Sequence, residues 1–186
     1  MASRYSESDR IFDELLLTRI QAGDRNAADR LSARWQPRLM RTAKRLLGDE
    51  DQARTAVQET WTGICKGWRN LRDRSRFAPW CYRILHNKCA DLIRVNQKKR
   101  DFECAEAAEQ LIVSGAEEKV SLDQAFARLS INHRIAATLY FAAGLTAKEI
   151  SEATQVPLGT VKTRIFHARK RLKNMLTEPN KEGELK

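Results

Sequence analysis

The chain is predicted to be all-α, with two small helical domains joined by a flexible acidic linker. Three observations predict this. Glycine and proline are scarce, 8 and 4 in 186 residues, so long stretches run without a breaker. Apolar residues recur at offsets of three and four, and no stretch alternates with the period of a strand. Composition shifts sharply once. Residues 101–120 hold six acids (Asp101, Glu103, Glu106, Glu109, Glu117 and Glu118) against Lys119, a net of −5 in a chain of formal charge +10. A segment of this kind, with Ser114-Gly115 inside it, buries little and is expected to be a linker. It divides a domain at 9–100 from one at 121–176, and the polar tail 177–186 is expected to be disordered.

Four helices account for the first domain. The first runs from Asp9 to about Gln21 on Ile11, Leu15, Leu16 and Ile20, and stops at Ala22-Gly23-Asp24. The second, Asn26 to Leu47, carries Leu31, Trp35, Leu39, Ala43 and Leu46 on one face, and Gly48 supplies its stop. The third, about Glu50 to Trp68, turns Ala53, Val57, Trp61, Ile64 and Trp68 inward. A basic, irregular stretch from Asn70 to Arg76 follows. The fourth helix, Phe77 to about Gln97, has its stripe at Phe77, Cys81, Ile84, Leu85, Cys89 and Leu92. Four stripes suffice for a bundle. In the second domain, Leu122, Ala125, Phe126 and Leu129 open the packing, then Ile135, Ala136, Leu139 and Phe141, with Gly144 ending that helix.

The positive surplus raises the expectation of a polyanionic partner. No apolar run approaches the roughly 20 residues that span a bilayer, and MASRYSESDR lacks the apolar core of a signal peptide. A cytoplasmic protein with no membrane insertion is expected. Cys65, Cys81, Cys89 and Cys104 are spaced without a CxxC pair, and no histidine stands at a zinc-finger offset. They are expected to be buried, reduced thiols, and no metal or cofactor is expected.

The strongest local pattern lies between Thr146 and Met175. Thr146-Ala-Lys-Glu149 has the form of a capping box and starts a short helix with Ile150 and Ala153 inward. Thr154-Gln155-Val156 makes a turn, and Pro157 suits the first position of a second helix. That helix bears a predicted buried stripe of Leu158, Val161, Ile165, Ala168, Leu172 and Met175. Its other faces hold Thr160, Lys162, Thr163, Arg164, His167, Lys170, Arg171 and Lys173, and no acid occurs from Ala153 to Thr177. One face packs on the preceding helix. Short polar and cationic side chains at the other can reach base edges in a major groove, with the later cations on phosphate.

A second basic stretch, Arg69 to Arg100, sets ten bases against Asp73 and Asp91, with Trp68, Phe77, Trp80 and Tyr82 interleaved. Aromatic faces that stack on unpaired bases, beside cations that follow the backbone, are how single strands are held. Phe77 lies in the apolar stripe and is expected to be core. A reader of duplex and a reader of single strand on one chain suggest a protein that opens DNA.

The same segments in the same order, from Asp9 to Leu176, resemble the extracytoplasmic-function (ECF) group of the sigma-70 family of RNA polymerase sigma factors. Residues 145–172 look like the family's −35-reading helix-turn-helix. Val57-Gln58-Glu59-Thr60-Trp61 resembles the segment that docks on the polymerase clamp helices, and residues 77–91 resemble the helix that melts and reads the −10 element. The resemblance implies clamp contacts at Val57, Gln58, Glu59 and Trp61. It implies a −10 site at Arg72, Arg74, Arg76, Trp80, Asn87, Lys88, Asp91 and Arg94. It implies a −35 site at Thr146, Thr160, Lys162, Thr163, Arg164, Phe166, His167 and Arg171. The implied partners are core RNA polymerase (β′ clamp and β flap), promoter DNA (double-stranded at −35, melted at −10) and an anti-sigma factor. Two departures stand out. The position three before Gln58, usually acidic in the family, is Thr55 beside Arg54, and Gln155 stands where the turn often has glycine.

A different reading is a stand-alone helix-turn-helix regulator with an N-terminal sensor or dimerisation domain. The clustered arginines and aromatics of the first domain argue against it. An enzyme is not expected: none of His86, His133 and His167 sits with a serine or cysteine in a catalytic motif, and no glycine-rich phosphate loop occurs.

Overall fold

The computed structural model describes residues 5–103 and 121–177. These form eight α-helices: α1 (Glu7–Gln21), α2 (Arg25–Leu47), α3 (Glu50–Gly67), α4 (Phe77–Glu103), α5 (Leu122–Ala127), α6 (Ile131–Ala137), α7 (Ala147–Thr154) and α8 (Leu158–Thr177). The boundaries follow local chemistry. Ser6 caps α1 through a full capping box with Asp9. Asp24 and Asp49 accept the Ala27 and Gln52 N–H groups at 3.2 and 2.8 Å to start α2 and α3. Gly48, at φ +74°, ends α2 in the left-handed region that a side chain disfavours. The basic stretch after α3 consists of two 3-10 turns, Trp68–Asn70 and Arg74–Arg76, the second capped by Asp73.

Helices α1 to α4 pack around Trp35, which is fully buried. Its ring meets Phe77 edge-on at 5.1 Å, Tyr82 at 5.5 Å and Tyr5 at 5.8 Å. Its indole N–H donates to Asp13 Oδ2 at 3.0 Å. Asp13, with no exposed surface, also accepts the Tyr5 hydroxyl at 2.8 Å and Arg34 Nε at 2.9 Å. Three donors on one carboxylate offset much of the cost of burying it. The stripe expected on α2 is buried throughout. On α1 the core side is Leu16 and Leu17, while Ile11 and Leu15 are 62% and 52% exposed. Sequence alone could not choose between two overlapping apolar rows on so short a helix.

Asp9 supplies an acid-sensitive joint between α1 and α2. Burial would lift its carboxyl. The Ser6 N–H and hydroxyl, and then Arg38, outweigh burial and hold it at about 2. A carboxyl depressed in the fold contributes stability above its unfolded value, near 4, and loses it as pH falls toward 2. Acid titration followed by circular dichroism should show Asp9→Asn losing about 1 kcal/mol at neutral pH, with the deficit gone near pH 2.

The second half departs from expectation in detail. A wide turn of π geometry, Thr138–Ala142, extends α6, with Ala143 N–H reaching Thr138 O at 3.0 Å. It leaves Phe141 on the surface. Pro157 precedes α8 and accepts from the Val161 N–H, one position earlier than expected. Along α8, Val161, Ala168 and Leu172 are buried, Ile165 and Met175 half-buried, and Leu158 exposed. Cys81 and Cys89 are buried, and burial raises both thiols, Cys89 to about 12. Cys65, in contrast, faces solvent, because α3 turns it away from the row Val57, Thr60, Ile64. Cys104, the linker past Glu103 and the tail from residue 178 lie outside the described residues.

The two groups of helices are not apart. Leu139, Ala143, Leu145, Ile150 and Val161 belong to the same continuous core as Leu16, Trp35 and Phe77, and α7 packs along α4. A smaller core of Ala125, Phe126, Leu129, Ala137, Ala168 and Leu172 ties α5, α6 and α8 together.

Candidate nucleic-acid interface

The helix-turn-helix forms as its local chemistry dictates. Thr146 Oγ1 accepts the Glu149 N–H at 3.3 Å, and Glu149 Oε2 accepts the Thr146 N–H at 2.8 Å, closing the capping box. The turn is set by Gln155, the only non-glycine residue with positive φ among those described, at φ 58° and ψ 30°. A side chain there crowds the carbonyl, and glycine avoids the clash. Gln155→Gly should raise thermal stability by about 1 kcal/mol, less the small worth of the exposed bond from Gln155 Nε2 to Glu152 O. Calorimetry on the full chain would read it, with duplex binding unchanged.

On α8 the candidate −35 residues share one open surface. Thr160, Lys162, Thr163, Phe166, His167 and Arg171 are exposed, Arg164 is half-buried, and Thr146 stands exposed at the start of α7. Phe166, 64% exposed, stacks edge-on against His167 at 5.5 Å. A large apolar ring held in the open on a cationic face suits contact with a thymine methyl. His133 of α6, which sequence reasoning passed over, stands beside this row with its ring 6.0 Å from His167. Burial, and then the neighbouring Arg171, His167 and Arg164, lower its pKa. Arg171 and Arg164 beside it make a locally cationic surface that a phosphate would neutralise.

The candidate −10 residues spread over the second 3-10 turn and α4. Arg72, Asn87, Asp91 and Arg94 are exposed, the last two paired at 3.0 Å. Trp80 is half-buried because Gly67 lets it lie against α3; a Cβ at Gly67 would stand 3.0 Å from its ring. Phe77 is fully buried, as its place in the stripe predicts. The arginines of the turn are engaged within the chain. Arg74 binds Gln21 and the Thr18 hydroxyl of α1, and Arg76 pairs with Glu152 of α7. Lys88 pairs with Glu59 of α3 at 3.0 Å.

That last pair joins the −10 candidates to the clamp candidates. Gln58 and Glu59 are exposed on α3, Trp61 is half-buried with its indole N–H on Gln36 at 2.6 Å, and Val57 is core. Gln36 is a second residue that sequence reasoning missed, 25 positions from its partner. At the departure from family pattern, the Thr55 hydroxyl donates to the Asp51 carbonyl at 3.0 Å, and Arg54 pairs with Glu50 at 3.1 Å.

Among the described residues no group of three or more His, Cys, Asp or Glu could hold a metal ion, and no helix is long and apolar enough to cross a membrane.

Comparison with known proteins places this arrangement. The chain matches the family described as Sigma-70 region 2 over residues 31–99 and Sigma-70, region 4 over residues 119–172. It is 27% identical over 184 residues to the RNA polymerase sigma-H factor of Pseudomonas aeruginosa, spanning 88% of this chain and 93% of that protein. To the ECF RNA polymerase sigma-E factor of Escherichia coli K12 it is 30% identical over 185 residues, spanning 90% and 95%. Its fold matches the sigma factor RpoE in complex with the anti-sigma factor NepR from Bartonella quintana, with a TM-score of 0.66 at 22% identity over 82% of this chain and 98% of that one. CnrH, in complex with the cytosolic domain of CnrY, matches with a TM-score of 0.65 at 23% identity over 89% and 97%. With both sigma regions present in order and whole-length identity to sigma-E factors, the chain belongs to the ECF subgroup of the sigma-70 family.

Proposed function

We propose that this protein joins core RNA polymerase in the cytoplasm and directs it to a specific set of promoters through the residues named above, contributing binding rather than catalysis. The observation that carries the residue assignment is the cationic, acid-free surface of α8 with Phe166 held open on it. Lys162, Thr163, Phe166 and His167 read the −35 element, and Arg164, Arg171 and Thr160 hold its backbone. Arg72, Arg74, Arg76 and Trp80, with Asn87, Lys88, Asp91 and Arg94 further along α4, take the melted −10 strand. Gln58 and Glu59 meet the β′ clamp with Trp61, and Val57 holds α3 in place behind them. The second domain meets the β flap. An anti-sigma partner is part of the reading, because RpoE and CnrH were solved in complexes with NepR and CnrY.

Energy from the −35 contacts and from captured −10 bases offsets unstacking, a few kcal/mol per step. The stand-alone regulator is not favoured, since the N-terminal half matches Sigma-70 region 2. The test is transcription by purified bacterial core polymerase on fragmented host DNA. New discrete transcripts that require the protein support the reading, and their start sites give both promoter elements. No transcripts and no co-elution with core would overturn it. Gln58→Ala with Glu59→Ala should weaken binding to core about tenfold or more while leaving duplex binding intact; unchanged core affinity would remove that pair from the clamp site.

A further inference from the structure

One cluster in the second domain carries charge that no neighbouring carboxylate offsets. Arg164, His167 and Arg171 follow one another at offsets of three and four along α8, so they share one line of its surface. Among the described residues no carboxylate pairs with Arg164 or Arg171, whereas Arg76 and Lys88 of the first domain are both held by acids. His133, in the first turn of α6, stands against this line, its ring 6.0 Å from that of His167. The Ser130 hydroxyl lies 3.0 Å from His133 Nδ1. When the hydroxyl donates there, the proton of the neutral ring sits on Nε2, at the other edge of the imidazole. The elements packed on α6 are α8, α2, α5 and the turn 138–142. Of their charged and titratable groups, Arg171, His167 and Arg164 of α8 act on the ring. Asp123 of α5 and Arg45 of α2 are taken by each other, and Tyr140 of the turn lies edge-on against Phe141.

We propose that His133 completes a seat for a backbone phosphate of duplex DNA, shared with Arg164, His167 and Arg171, so that α6 as well as α8 grips the strand. The proposal rests on the reading of α8 as the duplex-binding face. A phosphate brought among these groups offsets their mutual repulsion and favours the protonated ring, which then donates to the anion. In the free chain the balance runs the other way, because burial, and then Arg171, His167 and Arg164, work against the charged ring. Binding therefore takes up a proton at His133, and duplex affinity rises as pH falls from 8 to 6.

The test uses the full chain and a labelled random-sequence duplex, since a phosphate contact is blind to sequence. A parent carrying His167→Gln keeps His133 as the one histidine of the second domain. It is compared with the same chain carrying His133→Gln or His133→Arg, by fluorescence anisotropy at several salt concentrations, at pH 6 and pH 8. The parent should bind about fivefold more tightly at pH 6 than at pH 8, with a logarithmic salt slope steeper by nearly one. His133→Gln should lose both differences and bind at either pH as the parent does at pH 8. His133→Arg should bind at either pH as the parent does at pH 6. A histidine that merely packed α6 would shift the melting temperature without tying affinity to pH and salt in this way. A His133→Gln chain that keeps the parent's pH and salt response would overturn the seat, as would a His133→Arg chain no tighter than the parent at pH 8. Lys162→Glu, outside the seat, is measured beside them. Unchanged duplex binding there brings down the reading of α8 itself, whereas a silent His133 beside a sensitive Lys162 brings down the seat alone.

Discussion

Trp35→Ala should abolish the folded first domain, or leave it 3–5 kcal/mol less stable, an estimate of about the size found for large-to-small changes at buried aromatics. The loss has two parts. A fully buried indole vacates a space shared with Phe77 and Tyr82 of α4 and with Tyr5 ahead of α1. It also takes one donor from Asp13, a carboxylate with no exposed surface, leaving the Tyr5 hydroxyl and Arg34 to hold it. Denaturant unfolding followed by circular dichroism measures this. Trp35→Phe separates the parts, since it restores most of the volume without the N–H. A Trp35→Ala variant within about 1 kcal/mol of wild type would show that the ring cluster does not organise the bundle.

Lys162→Glu with Arg164→Glu should weaken binding to a −35 duplex about a hundredfold and leave affinity for core polymerase unchanged. Each reversal removes a cation from the open face of α8 and adds an anion facing the phosphates. No acid elsewhere on α8 is available to compensate. The logarithm of affinity should also depend less steeply on salt, because fewer counterions are released. Equal losses toward duplex and polymerase would mean that the surface had been misassigned or the domain unfolded. Anisotropy at several salt concentrations and co-elution with core distinguish the cases.

Much of the fold was legible in the sequence because its signals are local. A capping box needs residues three apart, as at Thr146 and Glu149, and a helix stop needs one glycine, as at Gly48. The α2 stripe of Leu31, Trp35, Leu39, Ala43 and Leu46 is a property of 3.6-residue periodicity alone. The α8 recognition surface was legible for the same reason, since its cations and its buried row share one helix. Where two apolar rows overlapped, periodicity could not decide. Ile11 and Leu15 lie exposed because neighbouring helices cover the other row of α1, and Leu158 lies exposed as the first residue of α8.

Tertiary structure decided what depends on partners far apart in sequence. The buried Asp13 draws its donors from Tyr5, Arg34 and Trp35. Trp61 found Gln36, Arg45 found Asp123, and Arg76 found Glu152. An exposed arginine has the same local pattern whether it waits for phosphate or pairs with a carboxylate, because the Coulomb term depends on distance in space and not on spacing along the chain. Sequence by itself determined the helices, the family resemblance and the basic surfaces. Only the packing of the helices decided which of those basic residues stand open and which, like Arg74, Arg76 and Lys88, are already held.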